Sequence, residues 1–136
     1  MLRSLLLSSL FISSSVFAEL VVVVGKDSKI NSLDESTVEN IFLSRTNRYP
    51  DGSKAKPIEL KNNNYRREFY TRLTGKSPRQ LSAYWTTLIF SGKGKPPKKL
   101  DDINMVLEIA EVDTGMITYL DASLVTDDLK VVYRFE

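Results

Sequence analysis

The 136-residue sequence has no cysteine and no histidine. The first absence excludes disulfides, so a folded domain here must be held by its core alone. The second removes the commonest general base and the commonest metal ligand. Together they leave zinc, copper, haem and thiol chemistry without a ligand set, and they exclude a Ser–His–Asp hydrolase. Nucleophile–base pairs built on histidine or cysteine cannot be assembled, so the chain reads as a non-enzyme with neither metal nor cofactor. A dominant charge sign is also missing: nineteen lysines and arginines face seventeen aspartates and glutamates. So even a balance gives no global pull toward nucleic acid or membrane.

Long apolar runs are confined to the N-terminus. Arg3 supplies a positive start, Leu5 to Ile12 is apolar apart from Ser8 and Ser9, and Val16-Phe17-Ala18 follows a serine run. This is the three-part pattern of a cleavable signal peptide. Its apolar part is roughly ten residues, and a spanning helix needs about twenty. The expected division is a signal peptide over 1–18 and a single domain over 19–136, exported to a bacterial periplasm with no membrane span after signal removal. Loss of Arg3 leaves eighteen basic residues against seventeen acidic ones, a net charge of +1. About 118 residues suffice for one domain with one core.

Leu20 to Val24 is a continuous, valine-rich run that suits a strand buried on both faces, as in a sheet with helices on each side. Ser32 with Glu35 reads as a capping box opening a helix whose inner face is Val38, Ile41 and Phe42. Tyr49-Pro50-Asp51-Gly52-Ser53 is a turn, and a short strand follows at Lys56 to Leu60, with Pro57 at its start or on an edge. Tyr65, Phe69 and Leu73 mark a second helix ending near Gly75. Ser77-Pro78 with Gln80 caps a third, lined by Leu81, Trp85, Leu88 and Ile89. Ser91 to Lys99 reads as loop. Asp101 or Asp102 opens a fourth helix with Ile103, Val106, Leu107 and Ala110 inward, stopped by Gly115 as a left-handed cap. Met116 to Leu120 is a strand, and alternation from Leu129 to Glu136 predicts a last strand covered mainly on one face. The order β-α-β-α-α-α-β-β calls for an α/β fold.

Three segments resemble phosphate-type substrate-binding proteins of ABC transporters. They are the strand Leu20–Val24 with Asn31-Ser32-Leu33 and Val38 to Ser44; the stretch Leu88 to Pro97, as in short phosphate-binding-protein-like chains; and Asp113-Thr114-Gly115-Met116-Ile117-Thr118-Tyr119-Leu120. The resemblance implies a mixed sheet with helices on both faces, like one lobe of a type 2 periplasmic binding protein. Full proteins of this kind close two lobes on their anion, and this chain has length for one. They also grip phosphate with a loop rich in serine, glycine and threonine at a helix start. The matching stretch here, Lys61 to Arg67, contains none of the three, and Thr118 stands where the family has glycine.

Two candidate sites follow. Asn62, Asn63, Asn64, Arg66 and Arg67 sit where a strand gives way to a helix, so helix-start amides and an arginine fork would favour a small anion such as phosphate. Arg66 is expected to be exposed. Lys93, Lys95, Lys98 and Lys99 form the densest positive patch, suited to an acidic partner, such as an envelope transporter or sensor, or to anionic lipid head groups. The bland readings are a loop chosen for turn geometry and lysines that keep a loop soluble. Trp85 and Tyr119 read as core. Asp121, Asp127 and Asp128 lack the glycine and terminal glutamate of a calcium loop, and Glu108 and Glu111 read as surface. The expected function is a non-catalytic domain binding a small anion for transport or sensing; the alternative is an interaction module that keeps the lobe without the ligand.

Overall fold

The computed structural model describes residues 19–135. The signal-peptide expectation falls on residues 1–18, outside the described residues. Among the described residues no helix is long and apolar enough to cross a membrane.

The chain runs β1 (Leu20–Gly25), α1 (Glu35–Phe42), β2 (Lys56–Leu60), α2 (Arg66–Thr74), α3 (Pro78–Phe90), β3 (Lys98–Leu100), α4 (Ile103–Val112), β4 (Met116–Asp121), a 3-10 turn (Ala122–Leu124) and β5 (Leu129–Arg134). The sheet order is β3-β2-β4-β1-β5. β2 is parallel to β3 and β4, while β1 is antiparallel to β4 and β5, so the sheet is mixed. Every residue of β1 is buried. Leu20, Val22 and Val24 face the larger core with α1, α2 and α3, and Val21 and Val23 face the smaller core with α4. The two-faced valine run thus sits between two helical layers, as its composition requires.

Several local expectations change. Asp34, not Ser32, caps α1, accepting from the Thr37 amide at 2.8 Å. The Ser77–Gln80 capping box forms as read, with Pro78 in the first turn, and Gly75 closes α2 in the left-handed region (φ 69°). Gly115 has no left-handed φ. It is small because a Cβ there would lie 2.5 Å from the Lys54 carbonyl oxygen, where the chain crosses closely before β2. The segment read as loop up to Lys99 ends in β3, a three-residue strand that takes its form from pairing with Ile58 to Leu60. β3 begins opposite Ile58, so Pro57 has a strand neighbour on the β4 side only, which spares the sheet its missing N–H.

β5 departs from simple alternation. Val23 pairs with Val131 and Val22 with Tyr133, leaving Val132 as the extra residue of a bulge. The bulge exchanges faces. Leu129 and Val131 therefore pack on the α4 side, while Tyr133 and Phe135 pack with the larger core.

Candidate functional site

β2 ends at Leu60 and the chain reverses through Lys61 to Tyr65 into α2. The reversal depends on Asn62, whose φ of 54° is in the left-handed region that asparagine tolerates better than most residues. Asn63 then turns inward. Its Nδ2 donates to the Leu60 carbonyl at 2.7 Å and to the Tyr119 hydroxyl at 3.3 Å, and its Oδ1 is buried with no partner among the described residues. Asp34, Ser77 and Asp102 cap α1, α3 and α4. The N-cap of α2 is Tyr65, whose side chain makes no capping bond. Its first-turn amides therefore lack a side-chain acceptor from the N-cap, which suits that end to water or an anion.

Beneath this turn lies a carboxylate that the sequence reading did not single out. Glu59 is wholly buried. Its two neighbours in β2, Ile58 and Leu60, face the α4 side, so Glu59 points to the opposite core. There it accepts from Arg66 Nε at 3.1 Å, from the Tyr119 hydroxyl at 2.9 Å and from the Tyr70 hydroxyl at 3.3 Å. Burial, followed by the Glu59 charge, pushes both tyrosines well above their ordinary pKa, so their hydroxyls stay protonated donors. Burial opposes the charge on Arg66, but the Glu59 carboxylate outweighs it and raises the guanidinium pKa. Tyr119 also stacks on Phe69, with ring centroids 3.7 Å apart and planes at 8°, which locks its hydroxyl over Glu59.

Above the network is a hollow of about 330 Å³ lined by Leu60, Lys61, Asn62, Asn63, Arg66 and Lys99. Among the described residues no carboxylate lines it. The hollow lies at the C-terminal ends of the parallel strands β2 and β3, where open α/β sheets receive ligands. Lys61 is tied to Asp101 at 2.9 Å and Arg66 to Glu59, so among the described residues Lys99 is the unmatched cation at the hollow.

The structure divides the sequence candidates. Asn62, Asn63, Arg66 and Lys99 meet at the hollow. Asn64 is exposed and outside it, and Arg67 lines a separate groove between α2 and α3 with Tyr70, Lys76 and Trp85. Lys93, Lys95 and Lys98 are at the other end of β2 and β3. Arg66 is half-buried and paired rather than exposed. Trp85 and Tyr119 are core residues. Asp121 caps the 3-10 turn, Asp128 pairs with Lys26, and Glu108 and Glu111 are exposed. A lone glutamate between Ile58 and Leu60, with an arginine seven residues on, was the available signal for the buried pair.

No family model matches this chain and no curated protein does. Solved structures do. An ABC-type phosphate transport receptor from Vibrio cholerae matches 84% of this chain and 45% of its own, at 13% identity and a TM-score of 0.65. A putative phosphate ABC transporter substrate-binding protein with bound phosphate, from Clostridium perfringens, gives 84%, 44%, 11% and 0.60. PstS from Borrelia burgdorferi gives 84%, 46%, 11% and 0.61. The chain spans less than half the length of these proteins, and its fold is that of one lobe of a phosphate-type substrate-binding protein.

Proposed function

We propose that this chain is a non-catalytic, exported domain that holds a small anion, phosphate by preference, in the hollow at the start of α2. The observation that carries the reading is the uncapped α2 N-terminus opening on a hollow lined by Lys61, Asn62, Asn63, Arg66 and Lys99 and by no carboxylate. Amide dipoles and cations together favour negative charge there. The phosphate-binding neighbours support the choice of anion. The expected signal peptide supports a periplasmic location, and a transporter or sensor of the envelope is the expected recipient.

Residues 19–135 by themselves wall the hollow on one side, so the other side of the anion faces water, where charge-assisted contacts are screened. Calorimetric titration of the purified protein with phosphate and sulfate is expected to give a dissociation constant on the order of 0.1 mM or weaker. Lys99→Ala should weaken it several-fold, by about 1 kcal/mol, while leaving the fold intact because the side chain is exposed.

The second reading, an interaction module that has lost its ligand, is favoured by one observation. Glu59 and Asp101 already neutralise two of the three cations at the hollow. A flat titration with both anions gives that reading the field.

A further inference from the structure

A chain balanced overall is strongly basic along one stretch. The 32 residues from Phe69 to Leu100 hold seven lysines and arginines and no aspartate or glutamate. Within this stretch α3 ends on an exposed apolar tip. Phe90 is 95% exposed, and Ile89, which helical periodicity puts on the inner face, is 54% exposed.

The lysine loop rides on that tip. Gly92 N donates to the Ile89 carbonyl at 3.1 Å and Lys93 N to the Leu88 carbonyl at 3.2 Å, folding the chain back on the last turn of α3. Gly94 sits so close that a Cβ would come within 3.0 Å of Leu88 and 3.2 Å of Ser44. The Ser44 hydroxyl holds the Lys95 carbonyl at 2.6 Å, and Pro96 and Pro97 fix the backbone beyond. From this pinned loop Lys93, Lys95 and Lys98, with Lys54, line a groove of about 720 Å³. None of the four forms an ion pair among the described residues. Lysines that merely keep a loop soluble, or complement the α3 dipole, need no fixed backbone. Neither role accounts for a fully exposed phenylalanine.

We propose that this corner docks on an anionic lipid surface, with Phe90 and Ile89 entering the interface and Lys93, Lys95 and Lys98 meeting the headgroups. Charge complementarity sets the sign of the surface, and shape sets its kind. Phe90 has almost no protein around it, so a rigid partner would need a matching socket, whereas a fluid bilayer moulds around an apolar tip. Lysine stems can lie along the apolar region while their ammonium groups stay with the phosphates. Apolar insertion and basic attraction are each weak alone, and reversible attachment needs both. The corner is at the opposite end of β2 and β3 from the anion hollow, so the inference does not rest on the anion-binding reading.

The test is co-sedimentation of the processed protein with vesicles of equal parts phosphatidylglycerol and phosphatidylcholine, against vesicles of phosphatidylcholine alone. Binding is expected to the anionic vesicles only and to fall at high salt. Replacing Lys93 and Lys95 together by alanine should lower partitioning about 25-fold, and Phe90→Ser about tenfold. All three side chains are exposed, and circular dichroism verifies that the variants fold. Comparison of variants in one processed form cancels any contribution of the N-terminus. Free phosphate added in excess over lipid should leave binding unchanged at matched ionic strength. Equal binding to both vesicle types, no binding to either, or variants that bind like the parent would overturn the proposal. In the second case an acidic protein becomes the partner to seek.

Discussion

Removing the Glu59 carboxylate would leave the half-buried Arg66 charge and two tyrosine hydroxyls without their common acceptor. Breaking a buried pair from one side usually costs about 3–5 kcal/mol. Glu59→Ala is therefore expected to lower unfolding stability by about that amount in urea titrations. A loss under about 1 kcal/mol would mean that water or rearrangement replaces the network. Glu59→Gln keeps the shape and frees Arg66 from its counter-charge, so the same variant should bind phosphate more tightly than the parent, by several-fold. This also changes the choice of probe. Arg66→Ala, which sequence reasoning would treat as a harmless surface change, strands a carboxylate that has no exposure to water. The Asn-rich turn was legible as a candidate because strand, polar run and helix occur in order. The pairing was not, because it depends on Asn62 adopting a left-handed φ that swings Arg66 back over β2.

Helices and strands were legible wherever a local rule decides them. The Ser77–Gln80 box and the Gly75 cap form because both satisfy backbone groups within a few residues. Local rules fail where a distant segment decides. β3 exists through its parallel neighbour, the bulge at Val132 through its pairing with β1, and the exposure of Ile89 through the end of α3 running past the core. Gly115 gives this contrast a measurable form. As a left-handed cap it would accept asparagine at little cost. As a close-approach position it accepts nothing with a Cβ, because the opposing atom is backbone. Gly115→Ala is expected to cost about 1–3 kcal/mol, and Gly115→Asn at least as much. Denaturation showing asparagine better tolerated than alanine would restore the cap reading.

At the scale of the whole molecule, the two-faced strand β1 and the helices that follow it made the α/β lobe readable, while the length pointed to one lobe of two. Among the described residues, the hollow proposed to hold an anion has a single wall. A wall can be supplied by a second copy or by a partner protein placed across the turn from Lys61 to Arg66. Two such basic mouths repel unless an anion lies between them. An anion held from both sides is bound more tightly than by one lobe, and by linkage it must then promote the assembly that holds it. The expected result is a sedimentation coefficient that rises on adding phosphate, with an apparent phosphate affinity that strengthens as protein concentration increases. Lys99→Ala is the right variant here, since among the described residues Lys99 is the cation at the hollow without an ion-pair partner and its removal leaves the Glu59 network untouched. It should reduce phosphate binding and phosphate-dependent assembly together. If phosphate is bound equally weakly at every protein concentration and the mass does not change, the second wall does not come from another copy. A partner chain is then needed to complete the site. If the parent neither binds phosphate nor assembles, the hollow is a remnant of the fold, and the lobe acts through its surface.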